Sequence, residues 1–328
     1  MSILITGGAG YIGSHVARLL RDRGDEIVIV DDLITGNRER VPDIPIIELD
    51  LAHADSIGTV EAILREYSVT SVFHFAGRKQ VGESVIRPAW YYQQNVGALA
   101  NLLIAMEAAE VSRIVFSSSA AVYGAPDNGL IPETARTEPI NPYGESKLAG
   151  EWLISGAATA QKLRAASLRY FNVAGAGWAE LGDTAVLNLV PMVFDRIVQG
   201  LPPIIFGDDY LTTDGTCVRD FIHVLDLADA HVATMDSLKD GPPRHEVYNV
   251  GTGFGASVRE MIRSILTAAA MDLTPEIRGR RAGDPGSVVA DPVAIELALG
   301  WKSKRGIDEI VTSAWESFLY NRMSKRLH

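Results

Sequence analysis

Ser2-Ile3-Leu4-Ile5-Thr6-Gly7-Gly8-Ala9-Gly10-Tyr11-Ile12-Gly13 runs from an apolar stretch straight into glycines, then into a helical pattern with Val16, Leu19 and Leu20 on one side. Gly24 ends that pattern as a C′ residue. The glycines fit Gly-x-Gly-x-x-Gly as Gly8, Gly10 and Gly13, and the wider Gly-x-x-Gly-x-x-Gly as Gly7, Gly10 and Gly13. Either spacing turns backbone N–H groups and a helix N-terminus toward a pyrophosphate. A lone glycine turn is weak evidence, because tight strand-to-helix turns use glycine anyway. The next unit supplies context. Residues 26–30 read as a second buried strand ending at Asp31-Asp32, about 20 residues beyond the loop. A carboxylate there accepts from both adenosine ribose hydroxyls and repels a 2′-phosphate, which favours NAD over NADP. The plain alternative is two acids in a solvated loop.

The pattern continues outward as strand and helix in alternation. Residues 45–49 read as a strand ending at Asp50-Leu51, 55–67 as an amphipathic helix, and 69–75 as a strand running into Ala76-Gly77. Small residues at that strand end let the backbone close on the diphosphate-ribose side of a dinucleotide. A long helix is expected over 88–110, with Leu99, Leu102, Leu103 and Met106 at helical spacing as core or a helix–helix interface. Residues 113–116 form the next strand, ending in Ser117-Ser118-Ser119, and 165–169 another. Apolar strands without alternation imply a parallel sheet covered on both faces, an α/β fold of the doubly wound Rossmann type. Beyond Asn172 the pattern loosens around Pro191 and Pro202-Pro203, and glycine-rich turns recur at 251–255 and 279–286. We read 1–172 as the NAD-binding domain and 173–328 as a smaller C-terminal α/β substrate lobe, with parts of 218–250 packing back on the first domain.

Asn141-Pro142-Tyr143-Gly144-Glu145-Ser146-Lys147 carries the candidate chemistry. Asn141 is a good N-cap and Pro142 a good first helical residue, which puts Tyr143 in the first turn with Lys147 four residues on, on the same face. A phenol titrates near pH ~10, so acid/base work at neutral pH needs help from a nearby cation or the helix dipole. The bland reading is an aromatic packed under a lysine stem.

Composition narrows the class. Of 328 residues 47% are hydrophobic and 22% charged, the formal net charge is -11, and no basic arm is present, so a nucleic-acid partner is not expected. An anionic substrate must then be met by locally placed arginines. Cys217 is the single cysteine, which fits a reducing compartment. With no signal-like N-terminus and no apolar run of membrane length, a cytoplasmic protein is expected. The seven histidines are scattered, His223 and His231 lack ligand spacing, and His15 and His74 read as packed side chains, so no metal is expected.

Taken together, 6–13, His74-Phe75-Ala76-Gly77, the run 117–124, Asn141 to Lys147, Leu168-Arg169-Tyr170-Phe171-Asn172, the run 218–224 and the run 280–284 resemble the extended short-chain dehydrogenase/reductases, and among them the UDP-glucose 4-epimerase family. The resemblance spans nearly the whole chain. It implies that Tyr143 takes the proton of the sugar 4-hydroxyl while C4 gives hydride to NAD, that Lys147 lowers the tyrosine pKa and binds the nicotinamide ribose, and that Ser119 hydrogen-bonds the same oxygen. It implies cofactor contacts at Gly7, Gly10, Tyr11, Ile12, Gly13, Asp31, Asp32, Asp50, Leu51, Phe75, Ala76, Gly77, Lys79, Asn95, Tyr143, Lys147, Tyr170 and Phe171. It implies that Lys79, Ser119, Tyr143, Asn172, Asn188, Leu189, Arg219, Arg281, Asp284 and Val288 face a UDP-sugar, with arginine forks suited to its diphosphate. Simpler readings exist for the arginines: Arg219 as a surface partner of Asp220, and Arg280-Arg281 as a solvated pair. Members of the family generally dimerise through two helices per subunit; 88–110 and the helix carrying Leu148, Trp152 and Leu153 are the candidates.

Sister activities fit less well. Related 4,6-dehydratases carry an aspartate-glutamate pair after the serine, where this chain has Ala120-Ala121, which transfer no protons. A different nucleotide-sugar epimerase is the nearer alternative, and a non-enzymatic dinucleotide sensor the remotest, because Ser119, Tyr143 and Lys147 are all kept. Two positions depart from the family pattern. Ala121 stands where threonine is common, and Val288 where some members carry a bulky tyrosine that restricts them to unacetylated hexoses. Valine leaves room for UDP-N-acetylhexosamines.

Overall fold

The computed structural model describes residues 2–126, 129–281 and 283–324; Ala282, within the run 280–284 quoted above, lies outside them. The chain falls into two compact units, Met1–Gly124 with Thr137–Tyr170 and Ala228–Tyr248, and Ala125–Arg136 with Phe171–Leu227 and Asn249–His328.

In the first unit, β1 (Ser2–Thr6), α1 (Tyr11–Arg23), β2 (Glu26–Asp31), β3 (Ile46–Glu48), α2 (Ser56–Glu66) and β4 (Val69–His74) follow the expected alternation. Then come α3 (Val81–Ile86), α4 (Pro88–Tyr92), α5 (Ala98–Ala108) and β5 (Arg113–Ser117). After β6 (Leu130–Ile131), which belongs to the other unit, α6 (Pro142–Ala160) and β7 (Arg164–Tyr170) complete the series. The seven-stranded sheet has the order β3-β2-β1-β4-β5-β7, with strand Arg244–Val250 outside β7. Neighbours from β3 to β7 pair in parallel, and Thr6 stands level with Val30 on one side and His74 on the other. Chain order reverses between β1 and β4, so a crevice opens at their C-terminal ends, where sheets of this kind take ligands. All five residues of β1 are buried, which is why the strand shows no polar alternation.

One face of the sheet packs Leu4, Val28, Val72 and Ile114 against Val60 and Leu64 of α2 and Leu99, Leu102 and Met106 of α5. Each such side chain contributes about 1.5–3 kcal/mol relative to exposure. Leu99, Leu102, Leu103 and Met106 of α5 therefore belong to the intramolecular core, while Ile104 on the same helix is 48% exposed. The single long helix expected over 88–110 is interrupted: α4 ends at Tyr92, Gln93–Gly97 form a π turn, and α5 resumes at Ala98. Such wide turns concentrate at functional sites. This one holds Asn95, only 5% exposed, against the β4 end.

In the second unit, β8 (Asn172–Ala174), α7 (Leu189–Ile197), β9 (Ile204–Phe206) and β10 (Val218–His223) are followed by α8 (Val224–Ser237), which from Ala228 on belongs to the first unit. After β11 (Arg244–Val250) come β12 (Gly255–Ser257), α9 (Val258–Ala268), β13 (Glu276–Arg278), β14 (Ser287–Ala290), α10 (Val293–Leu299) and α11 (Ile307–Ser324). One sheet has the order β12-β10-β14-β6, with β8 also on β10, and β13-β9 form a separate two-stranded sheet. Phe194, Met261, Ile265 and Ile310 form the core of the unit. The start of α9 is fixed by a capping box of Ser257 and Glu260. Asp220 does not pair with Arg219: it is fully buried and accepts from the backbone N–H groups of Thr252, Gly253 and Ala290. The glycine turn at 251–255 is thus a loop folded around a carboxylate.

Candidate active site

The glycine turn is built by close approach. Gly7 has φ of 71°, and a Cβ on Gly13 would lie 2.3 Å from the Gly7 carbonyl oxygen, so neither position tolerates a side chain. Gly10 caps α1 with no side-chain hydrogen bond, and no acid stands in the first turn. A helix start left this way suits a phosphate. The Asp31 carboxylate, buried at the end of β2, accepts from Ala9 N at 3.0 Å and Leu33 N at 2.9 Å, and burial raises its pKa. It is held rigidly beside the turn, as a ribose acceptor must be. These features fit a dinucleotide.

The other residues expected to touch the cofactor divide by what already holds them. Asp32 accepts from Ile34 N and is ion-paired to Arg78. Asp50 accepts from Ala52 N and from the Gln94 amide. Leu51 turns its side chain into the core. Phe75 and Ala76 donate their N–H groups to the Thr6 carbonyl at 2.9 and 3.1 Å, bending the chain over the β1 end. Asn95 accepts from Arg78 N and donates to Arg78 O and to Ser146 Oγ on α6. A Cβ on Gly77 would meet Asn95 Oδ1 at 3.1 Å and Lys147 Nζ at 3.7 Å, so the loop after β4 lies directly against the reactive face of α6. Lys79 is exposed. The Tyr170 hydroxyl lies 2.5 Å from Ser117 Oγ, and burial pushes its pKa up.

Helix α6 begins as its sequence requires, with Asn141 Oδ1 accepting from Gly144 N at 2.9 Å and Pro142 in the first turn. Tyr143 and Lys147 are both buried. Lys147 Nζ sits 6.0 Å from the Tyr143 ring centroid, but it donates to Ser117 O at 2.8 Å, and burial brings its pKa down to about 8. The Tyr143 pKa is raised by burial, and the Ser119 hydroxyl hydrogen bond works against that shift. Ser119 also caps the short turn Ala120–Tyr123 through Ala121 N. Ser119, Tyr143 and Lys147 thus meet at the C-terminal end of β5, within one unit that also contains the glycine turn.

Beside them lies a buried network around Glu151, a residue outside the motifs singled out above. Ser118 Oγ donates to Glu151 Oε1 at 2.5 Å. Arg169 grips Glu151 with two nitrogens, the nearer at 2.6 Å, and donates to Tyr123 Oη at 2.9 Å. Glu151 stands one turn beyond Lys147 on α6, a spacing that was legible; its partner on β7 was not.

In the second unit Arg219 ion-pairs with Asp284, and Val288 is its register partner across β10 and β14. The Arg281 guanidinium lies 4.0 Å from the Phe206 ring centroid and Arg280 4.1 Å from that of Tyr210, where Arg280 also pairs with Asp209. The two arginines are therefore each seated on an aromatic ring, Arg281 on Phe206 and Arg280 on Tyr210. Asn188 donates to Asp183 at 2.7 Å just ahead of Leu189, the first residue of α7. Asn172 is exposed at the start of β8, and Phe171 is buried, with its N–H on Val250 O at 3.3 Å.

Residues 3–251 match the model of the NAD dependent epimerase/dehydratase family. The chain is 44% identical over 325 residues to a UDP-glucose 4-epimerase of Azospirillum brasilense, covering 97% of this chain and 92% of that protein. A crystal structure of a UDP-glucose 4-epimerase from Stenotrophomonas maltophila with bound NAD and formylated UDP-arabinopyranose superposes with a TM-score of 0.93 at 37% identity, covering 100% of both chains. The enzyme of Brucella ovis in complex with NAD gives 0.91 at 39% identity, over 96% of this chain and 98% of that one.

Proposed function

Because the chain belongs to the NAD dependent epimerase/dehydratase family, we propose that it is an NAD-dependent isomerase that interconverts UDP-galactose and UDP-glucose by inverting C4 of the hexose. The observation that carries this reading is the meeting of Ser119, Tyr143 and Lys147 in the unit that holds the glycine turn. Bound NAD supplies reversible two-electron exchange with C4. The protein supplies the proton acceptor: Tyr143, as its phenolate, takes the proton of the 4-hydroxyl and as the phenol returns it, and Ser119 would hydrogen-bond both the sugar oxygen and the tyrosine. Lys147, anchored on Ser117 O, carries positive charge beside the phenol and favours its ionised form. Gly10 at the α1 start faces the pyrophosphate and Asp31 the adenosine ribose, whose hydroxyls it accepts. In the second unit Arg219 and Arg281 are the cations for the UDP diphosphate, and Asp284 orients Arg219. Purified protein incubated with UDP-galactose and followed by NMR yields UDP-glucose if this is right; a 4-keto-6-deoxy product would instead support a dehydratase, which Ala120 and Ala121 argue against.

Two finer readings accompany it. The small side chain of Val288, level with Arg219, supports turnover of UDP-N-acetylglucosamine as well; no epimer from that substrate, where UDP-glucose reacts, would refute it. A homodimer through α4 and α6 is supported by Trp152, 66% exposed on α6, while Leu148 beside it is buried. Trp152→Arg then yields a monomer by analytical ultracentrifugation.

A further inference from the structure

Strands β2 and β4 flank β1, and the chain leaves both at the same edge of the sheet, on either side of the glycine turn. Two strand spacings, about 10 Å, separate those exits. Arg78, four residues past β4, closes that distance: its guanidinium pairs with Asp32, the residue immediately after β2. The same guanidinium donates to Gln94 Oε1 through Nε at 3.1 Å and Nη2 at 2.9 Å. Gln94 in turn donates to Asp50, beyond β3, at 3.3 Å. One side chain therefore ties together the loops that follow β2, β3 and β4. It is held unusually firmly for a loop arginine. Asn95 takes its backbone N–H at 2.7 Å and donates to its carbonyl at 3.0 Å, and the guanidinium lies 5.4 Å from the Trp90 ring centroid. Only 10% of the Arg78 side chain and 22% of Asp32 are exposed. An isolated surface pair would be more exposed and would contribute little.

Asp31, Asp32 and Asp50 mark the adenosine end of a dinucleotide laid along this edge. We propose that Arg78 is a clasp over that end of the cofactor: closed on Asp32 and Gln94, it must open before NAD can leave. A reaction that removes and restores hydride at one carbon needs the same cofactor molecule present throughout, and slow release secures that. Tyr143 and Lys147 address the other, nicotinamide end of the cofactor, so a hold on the adenosine end acts independently of them. The inference rests on the dinucleotide reading of the site given above.

The test is a chase experiment on the holoenzyme. Protein loaded with radiolabelled NAD is diluted into unlabelled NAD, and label remaining on the protein is followed with time. Arg78→Ala releases label at least tenfold faster than the parent; Arg78→Lys, which keeps the charge but loses the fork, falls between them. Gln94→Leu, which leaves the Asp32 pair, gives a smaller acceleration and covers the case in which Arg78→Ala fails to fold. Release from Arg78→Ala at the parent rate overturns the clasp while leaving the dinucleotide reading intact. A parent that retains no NAD overturns both.

Discussion

Lys147 Nζ is bonded to the carbonyl oxygen of Ser117 at 2.8 Å, while the phenol four residues earlier on the same helix face is bonded to Ser119. Lysine and tyrosine are thus each anchored to the end of β5, at residues two apart. The strand end, rather than a direct contact between the two, sets their relative position. Tyr143→Phe removes the proton acceptor and leaves this anchoring of Lys147 in place. Activity is expected to fall by about 10²–10⁴-fold, with a thermal midpoint close to that of the parent, measured by initial rates and calorimetry.

Lys147 gives a stability signature as well. Burial holds its pKa at about 8 in the folded protein, below the ordinary lysine value of 10.5, so the unfolded chain binds more protons between these limits. Folding stability contributed by this group therefore rises as pH climbs from 8 toward 10.5. Lys147→Met abolishes that rise and, at pH 7, makes the cofactor-free protein more stable by up to about 3 kcal/mol, while activity is lost. Urea unfolding of parent and variant at pH 7, 8 and 9 measures both.

Buried imidazoles set the acid limit. His74, whose Nδ1 lies 2.7 Å from Thr6 Oγ1, is held neutral down to about pH 3, and His223 down to about pH 4, chiefly by burial. Both titrate near 6.5 when unfolded, so the unfolded state takes up protons first and stability is lost as pH falls from about 6.5. By pH 5 His74 alone costs about 2 kcal/mol. His74→Asn shortens that acid limb, as unfolding free energies at pH 7 and pH 5 will show.

The buried Glu151–Arg169 pair holds Ser118, and with it the backbone that presents Ser119. Removing one partner of a buried pair strands the other charge, so Glu151→Ala is expected to cost about 3–5 kcal/mol. Because the serine run loses its anchor, kcat falls with it. Denaturant titration and kinetics on the same preparation measure the two effects.

Much of this was written in local sequence. The glycine turn, the carboxylate after β2, and the Asn-Pro start of α6 are short-range signals with local causes: close backbone approach, a strand end, a cap. What the sequence hid depends on partners far along the chain. Arg169 finds Glu151 from the neighbouring strand, and Arg78 finds Asp32 across two strand spacings. The break at Gln93–Gly97 was hidden for another reason: a π turn keeps helical composition and changes only the register in which side chains emerge. Phe206 and Tyr210 carry no local signal of their own, because the arginines that lie over them stand far along the chain.

Inversion at C4 proceeds with hydride that never leaves the protein. UDP-galactose carrying deuterium at C4 is incubated with the purified protein in ordinary water without added NAD, and the product is read by NMR and mass spectrometry. UDP-glucose with the deuterium still at C4 is the expected outcome. Product with solvent hydrogen at C4 would show that the hydride is lost to water and rule out retention.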